Sequence, residues 1–224
     1  MSDVESSSQA PSQTSSGSDI AVTVRKRPKP GERRVQILQA LASMLEQPGA
    51  ERITTASLAA RLDVSEAALY RHFASKAQMF EGLIEFIEQT VFSLVNQIVE
   101  RSGAAGSADA AAGSRDAGKV VAMVMQFAEK NPGMTRVMVG DALVFENERL
   151  QQRMNQFFDK IESTLKQCLR GVAEVRGSAT PSVDTQVHAS VLTAFVVGRL
   201  QRFARSGFKR LPSEHLEASL ALIL

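Results

Sequence analysis

TTASLAARLDVSEAALYRHFASK, residues 54–76, decides the fold. Ala56, Leu58, Ala59 and Leu62 recur at helical spacing, and Thr54 or Thr55 offers a side-chain oxygen to cap the first turn. Asp63-Val64-Ser65 breaks that pattern. Ser65, with Glu66 behind it, caps a second helix predicted over 66–72, in which Leu69 and Phe73 point inward four residues apart. Two short helices joined by a tight turn form a helix-turn-helix, whose second helix enters the DNA major groove. Glu66, Ala67, Ala68, Tyr70, Arg71 and His72 remain outward on that second helix. Small residues near its start permit close approach to base edges. Tyr70, His72, Ser75 and Lys76 can donate to phosphates.

An amphipathic helix pair occurs in many globular proteins, so the flanking chemistry matters. Residues 25–34, RKRPKPGERR, hold six basic side chains and one acid, and Lys76 lies on the other side of the pair. Basic residues on both sides of a small-faced helix suit a phosphate backbone. The whole chain carries only +2, so nucleic-acid affinity must come from this local clustering.

The 224 residues leave room for one large domain, or for a small one and a medium one. Aliphatic residues abound, aromatics are 5% and Trp is absent, a profile that predicts an all-α protein. The single Cys168 falls on an apolar helical face and points to a reduced compartment and a buried thiol. Residues 1–20 are Ser- and Gln-rich, with Asp3, Glu5 and Asp19, and lack the apolar core of a signal peptide. The most apolar run, 189–200, is too short to span a bilayer. A soluble, cytoplasmic protein is expected.

In chain order, residues 1–30 are a low-complexity tail ending in a basic arm stiffened by Pro28 and Pro30. Residues 31–76 are a three-helix head. Its first helix is predicted over 32–46 with Val35, Leu38, Ala42 and Leu45 as its buried stripe, widened by Ile37 and Leu41. Residues 77–224 are a larger helical dimerisation domain, joined to the head by one long helix from Lys76 to about Glu100. Phe80, Ile87, Val91 and Ile98 centre the stripe of that helix, flanked by Leu83, Ile84, Leu94 and Val95, while Phe86 falls well off it. The Gly- and Ala-rich residues 101–118 read as a flexible linker. Helices are predicted over 119–130, 134–139 and 145–172, the last with near-heptad apolar spacing and a solvated face bearing Arg149, Gln151, Gln152, Arg153, Lys160 and Lys166. Two final helices, 183–208 and 213–224, are so apolar that a symmetric dimer is expected to bury them against their copies. Two heads related by a two-fold axis would read a palindromic site.

No active site, metal or cofactor is expected. His72, His188 and His215 lack metal-ligand spacing. Ser163-Thr164-Leu165-Lys166 matches Ser-x-x-Lys, but sits mid-helix without companion motifs.

Thr55-x-x-Leu58-Ala59-x-x-Leu62-x-Val64-Ser65, followed by Leu69-Tyr70-x-His72-Phe73-x-Ser75-Lys76, resembles the TetR family of dimeric DNA-binding regulators. RITTASLAARLDVSEAALYRHFASKAQMFEGLIEFIE from Arg52 and EKNPGMTRVMVGDALVFENERLQQRMNQFFDKIE from Glu129 look like the branch of that family acting in nucleoid occlusion. The likeness covers 31–100 and 119–222, less closely after 171. It implies a nucleoid-associated dimer that binds palindromic chromosomal sites and the tubulin-like division protein FtsZ, antagonising FtsZ polymers. It also implies that the FtsZ tail docks beside the long fourth helix, on Phe86, Lys130 and Asn131, with Phe86 anchoring an apolar residue and Lys130 facing an acidic one. DNA contacts are expected from Thr54, Thr55, Ser65, Ala67, Tyr70, Arg71, His72 and Lys76. The rival expectation is a ligand-responsive TetR-type repressor, which would need an apolar pocket in the second domain.

Overall fold

The computed structural model describes residues 31–47, 53–104, 110–175 and 177–224. The tail and basic arm at 1–30 lie outside the described residues. Among those described, the chain is helical throughout: α1 (Glu32–Leu45), α2 (Thr55–Arg61), α3 (Glu66–Tyr70), α4 (Lys76–Ala104), α5 (Ala110–Lys130), α6 (Pro132–Met138), a 3-10 turn (Asp141–Leu143), α7 (Glu148–Val175), α8 (Pro181–Arg205) and α9 (Leu216–Ile223).

The stripe of α1 is rotated from the one expected. Ile37, Leu41, Ala42 and Leu45 are buried, while Val35 is 53% exposed. The apolar arc of α1 is wider than the surface it meets, and Ile37 rather than Val35 lies on its buried side. In α2, Leu58 and Ala59 are buried and Ala56 is exposed.

Met79, Phe80, Leu83, Ile84, Ile87, Val91 and Val95 form the buried face of α4. Full burial of each such side chain is worth about 1.5–3 kcal/mol before the entropy of ordering it is counted. Leu94, expected beside this stripe, is instead 39% exposed. A single contiguous core runs from Ile37 in α1 to Leu200 in α8, without a break at residue 76. Gly133 in α6 helps to close it: a Cβ there would overlap the Ala42 carbonyl of α1. Head and body therefore touch backbone to backbone.

The linker expected at 101–118 is corrected by the structure. Residues 101–104 extend α4, residues 110–118 are the first turns of α5, and only 105–109 lie outside the described residues. Alanine is the strongest helix former, and Ala112 and Ala117 bury their methyl groups. Gly113 supplies proximity rather than flexibility, because a Cβ there would overlap the Cys168 carbonyl of α7.

The inward row of α7 is Leu150, Met154, Phe157, Ile161, Leu165, Leu169 and Val172. Its polar face is not simply solvated. Arg149 pairs with Glu81, and Arg153 makes a two-point contact with Glu88, Nε to Oε1 at 3.1 Å and Nη2 to Oε2 at 2.5 Å. Hydrogen bonding to Glu88 raises the Arg153 pKa. Helix α7 starts three residues later than expected because Asn147 caps it, its Oδ1 accepting from Arg149 N–H at 2.9 Å.

The inner face of α8 buries Ala189, Leu192, Val196, Leu200 and Phe203. Val183, Val187 and Val191 stay on its outer face. The apolar terminus is covered partly by its own chain: Leu220, Ile223 and Leu224 pack against the core, and Arg199 donates to the Glu214 carbonyl and the Ser219 hydroxyl, both at 3.0 Å. No helix among the described residues is long and apolar enough to cross a membrane.

Candidate nucleic-acid interface

Both short helices of the head begin with side-chain caps. At α2, Ser57 N–H donates to Thr54 Oγ1 and Thr54 N–H donates to Ser57 Oγ, each at 3.1 Å, which closes a reciprocal box. Thr54, not Thr55, is thus the cap. At α3, Ala68 N–H donates to Ser65 Oγ at 3.3 Å. Thr55 is left free to bridge the helices, its hydroxyl donating to Glu66 Oε2 at 2.6 Å and accepting from Tyr70 Oη at 3.4 Å. Asp63 takes a positive φ of 54° in the turn between them, a conformation Asp tolerates.

Helix α3 is two residues shorter than expected, ending at Tyr70. Its inward anchors are Leu69 and Phe73. Ala67, Tyr70, Arg71 and His72 are all exposed, as are the two cap residues Thr54 and Ser65. Six of the eight residues expected to contact DNA are thus exposed, and Thr55 is half-buried between the two helices. Arg34 stacks 4.1 Å from the Phe73 ring centroid and donates to the His72 carbonyl at 3.0 Å, fixing the end of α3 against α1.

The eighth residue, Lys76, is engaged elsewhere. Its ammonium lies 2.5 Å from Glu146 of the segment before α7 and 5.7 Å from the Phe80 ring centroid.

A second surface lies between α4 and α5. Phe86, 46% exposed, opens onto a groove of about 320 Å³ with Thr90, Leu94, Met123, Gln126, Phe127, Lys130 and Asn131. Phe86, Lys130 and Asn131 share this groove although 44 residues separate the first two in sequence. Asn131 stands at the N-cap position of α6 but makes no side-chain bond to that helix. Its Nδ2 instead donates backwards to the Phe127 carbonyl at 2.8 Å, closing the end of α5. Thr90 and Met123 line it too, and the sequence reading of their segments does not pick them out. The spacing Phe86–Thr90–Leu94, four and four, could have indicated one wall. Among the described residues, no group of three His, Cys, Asp or Glu side chains is placed to hold a metal.

Comparison with known proteins agrees with this geometry. Residues 37–83 match the family described as bacterial regulatory proteins, tetR family, and residues 116–224 match a tetracyclin repressor-like, C-terminal domain of SlmA-like type. Among curated proteins, the nucleoid occlusion factor SlmA of Idiomarina loihiensis is 50% identical over 186 residues, 83% of this chain and 90% of that protein. SlmA of Aliivibrio fischeri is 49% identical over 197 residues, 88% and 96% of the two chains. SlmA of Vibrio vulnificus is 50% identical over 200 residues, 87% and 95%. Among solved structures, the fatty acid degradation regulator FadR of Bacillus halodurans superposes with a TM-score of 0.66 at 16% identity, covering 88% of this chain and 96% of that one. The TetR family regulator PfmR of Thermus thermophilus gives 0.65 at 21% identity, covering 84% and 97%. These last two likenesses speak to the fold alone.

Proposed function

This chain belongs to the SlmA nucleoid occlusion factors of the TetR family, and from that membership we propose that it is a DNA-binding inhibitor of cell division and not an enzyme. In this reading the head, 31–76, binds palindromic sites on the nucleoid in the cytoplasm, and the body, 77–224, pairs two copies and captures FtsZ. Thr54, Thr55, Ser65, Ala67, Tyr70, Arg71, His72 and Lys76 carry the DNA contacts. Phe86, Lys130 and Asn131 carry the FtsZ contact.

The observation that supports the partner half is the α4–α5 groove. Phe86 is a large aromatic side chain left open beside Leu94 and Met123, with the exposed Lys130 at the rim. An aromatic floor with a cationic rim suits a short peptide bearing an apolar and an acidic residue. The rival reading, a ligand-responsive repressor, is disfavoured by the body's interior, where Val121, Met125, Met154, Phe157 and Ile161 pack as one fully buried cluster.

GTP-driven FtsZ polymerisation, followed by light scattering with this protein and with or without a duplex it binds, tests the whole reading. The duplex should deepen inhibition, and no added inhibition by DNA would end it. Phe86→Ala separates the two surfaces. FtsZ binding should weaken at least about 30-fold, the effect of a residue worth 2 kcal/mol, with duplex affinity and Tm unchanged.

A further inference from the structure

Lys76 is the first residue of α4, four residues beyond His72 at the exposed end of the head. Its Nζ is held 2.5 Å from Glu146, whose side chain is only 11% exposed while that of Lys76 is 31% exposed. We propose that Glu146 is an internal competitor for DNA phosphate: its carboxylate holds Lys76 in the free protein and is displaced when Lys76 docks on the duplex backbone. The proposal rests on the reading above that the head binds DNA.

Three features support competition rather than a purely structural clamp. First, Lys76 stands at the head–body junction on a flexible four-carbon stem, so its ammonium can move to a phosphate without moving α4. Second, α4 does not depend on this pair for its place on α7. Glu81–Arg149 and Glu88–Arg153, further along the same two helices, remain when Lys76 leaves. Third, Glu146 lies in the short connection between the 3-10 turn and α7, outside either helix. Val144 and Phe145 just before it are exposed, and its own N–H donates to the Leu143 carbonyl at 3.0 Å, at the end of the 3-10 turn. Exchange of partners is therefore local. It leaves a poorly solvated carboxylate without its cation, so part of the phosphate contact energy is spent on releasing Glu146. DNA occupancy and the order of residues 144–146 are then linked, each weakening the other by the same factor.

The test uses the full chain and a duplex selected by the wild-type protein from a randomised pool, titrated between low and moderate salt. Glu146→Gln keeps the shape of the side chain and removes its charge. It should tighten binding about three- to tenfold, the scale of one weak ion pair released per protomer. Lys76→Gln should weaken binding and lower the salt slope by about 2 per dimer, one phosphate contact per protomer. With Lys76 already replaced, adding Glu146→Gln should change nothing. Glu148→Gln, which removes an exposed negative charge two residues on, controls for net charge and should leave affinity unchanged within about twofold. Amide exchange at 144–146 should accelerate on duplex binding in the wild type. Equal affinities for wild type and Glu146→Gln, or a gain that persists in the Lys76→Gln background or is matched by Glu148→Gln, overturn the competition while leaving DNA binding intact. If the pool yields no duplex bound by the wild-type chain, the DNA reading itself fails, and the inference with it.

Discussion

Cys168 sits on the flank of α7, half-buried, with its carbonyl against Gly113 of α5. Desolvation raises the thiol pKa, the buried Asp116 raises it further, and it reaches about 11 against an ordinary 9.0. A pKa raised in the folded state contributes stability that is fully present below the ordinary value and is lost as pH rises through the folded one. The window is therefore pH 9 to 11. Denaturant melts across that window should show a stability loss in the wild type that is smaller in Cys168→Ala. Iodoacetamide at pH 8 should label the native protein far more slowly than the unfolded chain, since the thiolate is the reactive form. Equal labelling of the two states would mean that the thiol is open to water. The caps offer a second single-residue check. Ser65→Ala removes the side-chain cap of Ala68 N–H and leaves it only the Ser65 carbonyl at 2.9 Å, and thermal melts should register a loss of about 0.5–1 kcal/mol.

Glycine separates what the sequence made legible from what it did not at the level of elements. The helix-turn-helix was readable because each helix buries one narrow stripe and starts on a side chain able to cap it: Thr54 with Ser57, and Ser65 with Ala68. The row on α7 was equally plain, because Leu150, Met154, Phe157 and Ile161 repeat along one face. The start of α5 was missed because Gly and Ser in a run of Ala read as flexibility, whereas Gly113 lets the backbones of α5 and α7 approach closely. The face of α4 was only half resolved, since its apolar arc exceeds one stripe and spacing alone does not say which neighbour covers Leu94. The groove was named by Phe86, Lys130 and Asn131, but its second wall on α5 depended on how α4 and α5 cross. The same principle yields a measurable consequence at α6. Gly133→Ala places a methyl group on the Ala42 carbonyl, so α1 and α6 must separate. Overpacking of this kind costs about 1–3 kcal/mol, and urea melts should show it. A change below about 0.3 kcal/mol would mean that the two helices part freely, and that the head moves independently of the body.

A continuous core makes head and body one lever at the scale of the whole molecule, so the placement of two heads is set by the surface that pairs two bodies. The outer face of α8 is the best candidate for that surface. Val183, Val187 and Val191 follow one another at four-residue steps, Ala194 continues the row, and a Cβ added at Gly198 would meet nothing within 4 Å. Such a row lets a second copy of the helix come close. In the monomer it leaves water on an apolar stripe that none of the described residues covers. The expected self-association is therefore assigned chiefly to α8, since α9 folds back on its own chain and Leu222 is its one large apolar side chain left exposed. Val191→Glu should place two like charges near the two-fold axis and yield a monomer in light scattering at micromolar concentration, with helical content unchanged by circular dichroism. The salt slope of duplex binding should fall to about half, because a monomer releases the counterions of one head, not two. A variant that stays dimeric would move the pairing surface off α8. A monomer that retains the full slope would mean that one head alone makes every phosphate contact, and that the two-fold arrangement of heads is not what reads the palindrome.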